Sequence, residues 1–111
     1  MINFMLSAKE LKKVKSIASD TNNSLSKLFD ALGDINRFKI FNLLLETPDN
    51  ICVTEFADIL DISVPAASQQ LKSLEMSGLI ERVRDGQMIC YKVRHDDPNV
   101  KSIIKTIKAT T

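Results

Sequence analysis

The stretch that decides the fold spans residues 53–93. Residues 53–72 read VTEFADILDISVPAASQQLK, a pattern that predicts a helix, a tight turn and a second helix. Residues 77–93 read SGLIERVRDGQMICYKV, which predicts two strands joined at the turn dipeptide Asp85-Gly86. A short helix pair followed by a hairpin is the plan of a winged helix-turn-helix, whose second helix is shaped to enter a DNA major groove.

Four residues punctuate this stretch. Asp61 lies in the turn where a left-handed residue is often needed, and aspartate tolerates that conformation better than most residues. Ser63 is a good N-cap, and Pro65 falls in the first turn of the next helix, where its missing N–H costs nothing. Gly78 suits a left-handed C-cap. The second helix is therefore expected between Ser63 and Gly78.

Apolar stripes at helical spacing flank the central stretch. Ser7 and Glu10 form a capping-box pattern at the start of the first helix, which is broken at residues 20–24. Asp34 is expected to cap a further helix, and Asp96-Asp97-Pro98 opens the last one. We predict an N-terminal helical extension at 1–24, either flexible or part of a dimer interface, and a winged helix-turn-helix domain at 25–111 with a C-terminal dimerisation helix. The apolar residues expected at the dimer interface are Leu11, Val14, Ile17, Val100, Ile103, Ile104 and Ile107.

The composition limits the class of protein. A length of 111 residues favours one domain, and the low count of three glycines and three prolines favours a mainly α fold with a small antiparallel β-wing. No apolar run approaches the roughly 20 residues of a membrane span, and the first residues lack the basic region of a signal peptide. Two cysteines are too few for a disulfide framework, so we expect a reduced, cytoplasmic protein that does not bind membranes.

Basic residues are unevenly distributed. The formal net charge is only +1, and residues 21–78 carry four basic against eight acidic side chains. Residues 79–94 carry four basic against two acidic side chains, and residues 98–111 carry three lysines and no acid. Solvated surface is the favoured interpretation of the last helix. For the hairpin we favour phosphate contact, because of where the fold places it.

Three segments resemble a known family. Residues 31–40, ALGDINRFKI, resemble the LGDPTRLRIL opening of ArsR-type (arsenic-repressor-like) bacterial transcription regulators. Residues 63–74, SVPAASQQLKSL, resemble their SxxxxSxHLxxL recognition helix, and residues 86–93, GQMICYKV, resemble their GRxVYYxL wing. The resemblance covers roughly residues 25–107. It implies a homodimeric winged-helix repressor whose first and last helices form the dimer interface.

The chain departs from the familiar metal sites of that family. Many members bind metal through a CVC box, which here reads Cys52-Val53-Thr54 and lacks one thiolate. Others use carboxylate and histidine ligands on the last helix, where this chain has Lys105 and Lys108. His95 is expected to be an ordinary surface histidine. We therefore predict no metal site and no cofactor.

The candidate DNA contacts lie on the second helix and the hairpin. Glutamine can pair with adenine through two hydrogen bonds, and apolar side chains can meet a thymine methyl. The family histidine of the recognition helix is replaced here by Gln70, and its polar opening pair by Val64-Pro65. The alternative is a plain solvated surface. The predicted contacts are Val64, Pro65, Ser68, Gln69, Gln70 and Lys72 on the helix, and Arg82, Arg84 and Gln87 on the hairpin.

Cys52 and Cys90 are a second candidate site. The short strand containing Cys52 is expected beside the second wing strand, which contains Cys90. Such neighbours would permit a redox switch. Two inert small hydrophobic side chains are the favoured alternative.

These observations point to one function and one rival. We expect a homodimeric repressor that binds double-stranded DNA at an imperfect palindrome. A winged-helix module that binds protein instead of DNA remains the alternative, which the modest net charge and the Val64-Pro65 opening keep open. No nucleophile–base pair or phosphate-binding loop is visible, so we do not expect an enzyme.

Overall fold

The computed structural model describes residues 5–20 and 23–110. The start of the chain at residues 1–4 and two residues of the predicted helix break, Thr21 and Asn22, lie outside the described residues. The described part forms six helices and a three-stranded antiparallel sheet, which confirms the predicted fold class. In chain order the elements are α1 Ala8–Ser19, α2 Asn23–Leu32, α3 Ile35–Glu46, β1 Ile51–Cys52, α4 Val53–Leu60, α5 Val64–Ser77, β2 Ile80–Asp85, β3 Met88–Val93 and α6 Pro98–Thr110.

Side-chain caps fix the helix starts where the sequence predicted them. Ser7 Oγ accepts from the Glu10 backbone N–H at 3.1 Å, and the Glu10 carboxylate accepts from the Ser7 N–H at 3.2 Å. Asp34 accepts from the Arg37 N–H at 3.0 Å at the start of α3. Ser63 Oγ accepts from the Ala66 N–H at 3.2 Å at the start of α5. Each cap satisfies a backbone donor that has no partner within its helix.

Backbone conformation at two positions sets the path around α5. Asp61 has φ 53°, the left-handed conformation that turns the chain between α4 and α5. Gly78 ends α5 with φ 97°, and the next residue, Leu79, is fully buried. The Arg94 N–H donates to the Leu79 carbonyl at 3.0 Å, which joins the end of the hairpin to its beginning.

The sheet has the order β1-β3-β2, with β3 in the centre. Ile51 lies opposite Tyr91, and Cys52 lies opposite Cys90. A half-buried strand usually alternates buried and exposed residues, but in β3 Cys90 and Tyr91 are buried in succession and Ile89 is exposed. The reason is that the two faces of β3 are covered by different contacts. Tyr91 packs in the core on one face, and Cys90 on the other face is bonded to Cys52 of β1.

The core lies between the helices and one face of the sheet. Its largest fully buried side chains include Phe41, Phe56, Leu71 and Tyr91. Burial of each large apolar side chain contributes roughly 1.5–3 kcal/mol. These contacts hold α5 and the hairpin in a fixed relative position.

The helix α6 differs from what we expected. Its residues Val100, Ile103 and Ile104 are buried in the core of the single chain, and Ile107 is partly buried against it. Their apolar surface is therefore already used within one chain and is not a free stripe for a partner. A role of α6 in a dimer remains a prediction, but it cannot rest on these three side chains being exposed.

The helix α1 presents the opposite case. It has no buried residue, and Leu11, Val14 and Ile17 are 44%, 47% and 62% exposed. Its apolar stripe is therefore uncovered in the single chain. In the described part of the chain, no helix has the length and apolar character needed to cross a bilayer.

Candidate nucleic-acid interface

One side of the helix α5 packs against the core, and the other side is exposed to solvent. Ala67, Leu71 and Leu74 are fully buried, so the helix cannot rotate about its axis without opening the core. The residues on the opposite side follow at helical spacing from Pro65 through Gln69 to Lys72, and all three are exposed. This arrangement presents a polar side of α5 to solvent in one fixed orientation.

The predicted contact residues of α5 do not all share that side. Val64 lies at the leading end and is exposed, whereas Ser68 is half-buried at the edge of the exposed side. Gln70 is half-buried and lines a hollow of about 240 Å³ together with Asn36 and Lys39 of α3. The structure therefore groups Pro65, Gln69 and Lys72 and directs Gln70 toward α3.

The two arginines of the wing differ in their surroundings. Arg82 Nη2 lies 3.4 Å from Glu75 Oε1 on α5, and the neighbouring carboxylate raises the pKa of Arg82 above its ordinary value. Arg84 lies two residues nearer the hairpin tip on the same face of β2 and makes no salt bridge with any described residue. Arg82 thus joins the wing to α5, while Arg84 remains available to an anion.

Tyr91 lies beneath this ion pair. It is buried opposite Arg82 in the sheet, and burial raises the pKa of its hydroxyl above the ordinary value, so the group stays neutral at physiological pH. On the other face of the hairpin, Lys92 Nζ lies 3.2 Å from Glu81 Oε1. Gln87 lies in the turn at the tip, beside Gly86 with φ 62°. The wing is therefore positioned by contacts at its base and exposed at its tip.

Sequence reasoning missed two residues at this surface. Ser73 is exposed four residues after Gln69, and its hydroxyl donates to the Gln69 carbonyl at 3.2 Å. The helical spacing alone would have found it. Lys39 lies on α3, far from the recognition helix in sequence, and only the packing of α3 against the turn brings it near Gln70. Nothing in the local pattern around Lys39 indicates this.

The two cysteines are joined. Cys52 and Cys90 face each other across β1 and β3, and their sulfurs form a disulfide. The favoured expectation of two separate small hydrophobic side chains therefore differs from the structure, because the strand register brings the two Cα atoms together. No group of three or more histidine, cysteine, aspartate or glutamate side chains suited to a metal ion occurs within residues 5–20 and 23–110.

Comparisons with known proteins agree with this geometry. Residues 34–82 match the family model of bacterial regulatory proteins of the ArsR family. The cadmium resistance transcriptional regulatory protein CadC of Listeria innocua is 33% identical over 87 residues, which cover 78% of this chain and 72% of that protein. The chain belongs to the ArsR family. It is accordingly a DNA-binding transcription regulator and not an enzyme.

Solved structures show the same fold for this ArsR-family chain. Reduced HlyU from Vibrio cholerae superposes with a TM-score of 0.67 at 21% identity, covering 89% of this chain and 96% of that one. The homodimeric winged helix-turn-helix DNA-binding domain of Mb0332 from Mycobacterium bovis superposes with a TM-score of 0.64 at 19% identity, covering 97% and 89%. At these identities the two likenesses show the fold alone.

Proposed function

We propose that this protein is a homodimeric, metal-independent repressor that acts in the cytoplasm on an imperfectly palindromic operator. The single observation that carries the proposal is the fixed, exposed side of α5 beside the wing. Gln69 is its central residue, Arg84 extends from the wing, and Glu75 of α5 contacts Arg82 of the wing at 3.4 Å. Glutamine reads bases, whereas arginine at the wing contacts phosphate or the minor groove.

The proposed contact residues are assigned to different parts of the DNA. Pro65, Gln69, Lys72 and Ser73 are assigned to the major groove, with Val64 at the leading end and Ser68 at the edge. Arg84 and Gln87 are assigned to the flanking backbone or minor groove. Gln70 and Arg82 are assigned supporting roles, because the first lies toward α3 and the second is paired with Glu75.

The proposed dimer rests on α1. Leu11, Val14 and Ile17 leave an apolar stripe uncovered, and such a stripe is stabilised when a second copy covers it. One structural neighbour is described as a homodimer. We retain the division into an extension at 1–24 and a domain at 25–111, with the extension as the main dimerisation element. A two-fold dimer then requires two operator half-sites about one or more helical turns apart.

The small number of suitable ligands supports metal independence. A structural zinc site needs four ligands such as thiolates and imidazoles. Thr54 stands where the CVC box would have a second cysteine, and Cys52 and Cys90 supply at most two thiolates even when their disulfide is reduced. Saturating zinc or cadmium should leave operator affinity unchanged within about threefold. Stoichiometric metal binding that releases DNA would contradict this part of the proposal.

The function is tested by selecting bound sequences from random double-stranded DNA. The expected result is an imperfect palindrome. Gln69→Ala should then lose about 1–3 kcal/mol of discrimination at one base pair of each half-site. Arg84→Ala should weaken binding to all sequences alike, and it should lower the slope of log affinity against log salt concentration by about one unit. Lys105→Ala on the exposed side of α6 is the matched control and should change neither quantity.

The same experiment distinguishes DNA binding from the alternative, a winged-helix module that binds protein. Affinity for DNA should fall steeply with salt because counterions are released from phosphates. No enriched sequence, together with equal effects of Arg84→Ala and Lys105→Ala, would refute the proposed DNA interface and favour a winged-helix module that binds protein.

A further inference from the structure

We propose that Cys52 and Cys90 form a reversible modification site. A peroxide oxidises the pair to a disulfide, and the disulfide tightens DNA binding by fixing the wing against the helix-turn-helix. This inference rests on the proposed function for its readout. The oxidant class, a small uncharged hydroperoxide, follows from the surroundings of the two sulfurs.

The position of the bond relates it to the DNA interface. Cys52 and Cys90 are 38 residues apart in sequence, and they lie directly opposite each other in β1 and β3. The loop that the disulfide closes begins at α4 and ends in the wing. It therefore contains both supporting residues, Gln70 and Arg82, and every proposed DNA contact, and these contacts are Val64, Pro65, Ser68, Gln69, Lys72, Ser73, Arg84 and Gln87.

Both cysteines border a hollow that a small reagent can enter. The hollow measures about 520 Å³ and is lined by both cysteines and by Asp49, Glu55 and Asp85. The Glu55 carboxylate accepts from the Cys52 backbone N–H at 2.9 Å, so it lies at the start of α4 beside the sulfur. Three carboxylates disfavour the approach of an anionic oxidant, whereas hydrogen peroxide carries no charge and is small enough to enter.

The chemistry balances with peroxide as the oxidant and a dithiol as the reductant. Cys52 is the more accessible of the two, at 8% against 1% for Cys90. Its thiolate attacks the peroxide oxygen, and the proton that the thiol has lost completes the departing water. The O–O bond breaks, one water leaves and a sulfenic acid forms. The Cys90 sulfur then attacks the Cys52 sulfur, a second water leaves and the disulfide forms. A dithiol reverses the process by exchange, giving its two electrons and two protons to the protein thiols.

The disulfide affects DNA binding through the contact between β1 and β3, which we call the β1–β3 joint. Bonded sulfurs lie about 2.0 Å apart, whereas unbonded heavy atoms need roughly 3.5–4.0 Å. Because both side chains are buried, reduction must move side chains or strands in this joint. Cys52 is also the N-cap residue of α4, so such a movement reaches the helix-turn-helix directly. The oxidised joint holds the wing in one position and lowers the ordering cost of DNA binding.

The modification site is tested first without DNA. The full chain, reduced by a dithiol, is treated with hydrogen peroxide, and intact mass is followed. The expected result is the loss of two hydrogen atoms per chain, reversed by fresh dithiol and absent in Cys52→Ser and Cys90→Ala. Cystamine, a cationic disulfide, should form the bond faster than oxidised glutathione, which is anionic. Failure to form an intrachain bond, or faster reaction with glutathione disulfide, would overturn the assigned site.

The coupling is tested on the selected operator. The oxidised wild type should bind at least fivefold more tightly than the reduced protein, within the usual range of coupled equilibria. Cys52→Ser and Cys90→Ala should both bind like the reduced wild type and ignore peroxide, with circular dichroism verifying their fold. Equal affinities of the two redox states, or tighter binding by the reduced state, would overturn the coupling while leaving the DNA interface intact. Absence of binding in both states would instead refute the proposed function together with the coupling.

Discussion

The helices α1 and α6 carry nearly the same apolar pattern but have opposite surroundings. In α1 the stripe of Leu11, Val14 and Ile17 is 44–62% exposed, and the helix has no buried residue. In α6 the stripe begins with Val100 and Ile103, which are 0% and 5% exposed and belong to the core. An amphipathic pattern thus shows that a side of a helix needs cover, but it does not show which surface covers it.

Local hydrogen bonds explain why α6 docks within the chain. The Asp97 carboxylate accepts from the Asn99 N–H at 2.9 Å and from the Val100 N–H at 3.1 Å, which fixes the helix start. The segment before it is tied to the hairpin, because the Arg94 N–H donates to the Leu79 carbonyl. The entry to α6 is therefore set by the wing, only a few residues from the core. The stripe of α1 lies on a helix with no buried residue, and we propose that a second copy covers it.

The largest expected effect is the removal of core volume from α6. Ile103→Ala should lower the free energy of unfolding by about 2–5 kcal/mol, because it deletes buried methyl groups and leaves a cavity. Denaturant unfolding at several protein concentrations provides the measurement. The loss should be the same at every concentration, since Ile103 packs within one chain.

Ser102→Ala is the matched control for that substitution, because Ser102 is an exposed neighbour on the same helix. It should change stability by less than about 0.5 kcal/mol. If the cost of Ile103→Ala instead disappeared in dilute protein, Ile103 would act mainly between chains, and the contrast between the two helices would be broken.

The next effect concerns assembly through α1. Val14→Glu should raise the dimer dissociation constant about 100-fold, equivalent to about 2.8 kcal/mol, because it places a carboxylate in the apolar stripe. Sedimentation velocity across a dilution series measures the constant. Circular dichroism should show that each chain keeps its fold, since Val14 is exposed in the single chain.

Ser16→Glu adds the same charge on the opposite side of α1 and should leave the dissociation constant within about threefold. A wild-type protein that sediments as a monomer at micromolar concentration would refute the dimer. An equal effect of the two substitutions would show that net charge, and not the stripe, governs association.

The difference between these helices also marks what the sequence can predict. Ser7, Asp34, Ser63 and Gly78 act within a few residues of themselves, so their caps were predicted and are confirmed. The burial of Val100 and Ile103 depends on where the hairpin ends and how α6 leaves it. Their burial is a consequence of tertiary packing, which the local sequence pattern does not predict.

The candidate interface divides in the same way. The outward side of α5 follows from helical spacing, and Gln69 and Lys72 lie on it as predicted. The pairing of Arg82 with Glu75 does not follow from spacing, because it joins two elements whose packing the sequence does not display. The same holds for Cys52 and Cys90, whose opposition was predicted from strand order but whose bond was not.

The smallest expected effect is the loss of stability when a helix cap is removed. It is compared between α5, which packs in the core, and α1, which does not. Ser63→Ala at α5 should cost the whole chain about 1 kcal/mol, because α5 carries core residues and cannot fray without opening the core. Ser7→Ala, tested in the monomeric Val14→Glu background, should reduce helix content in α1 and leave the global unfolding free energy nearly unchanged. Equal global losses would show that α1 is also docked within its own chain.

The pKa of Glu10 reports the Ser7 cap directly. The hydrogen bonds to Ser7 lower the pKa of Glu10 below 4.5, so in the folded helix the charged carboxylate is favoured. Its contribution to α1 is therefore present at neutral pH and is lost as the pH falls below about 4.5 and through the lowered value. NMR titration of the Glu10 side chain should show its pKa rising toward 4.5 in Ser7→Ala, while Ser63→Ala leaves it unchanged. An unchanged pKa of Glu10 in Ser7→Ala would mean that the capping box does not form in solution, and the cap would then not stabilise the start of α1.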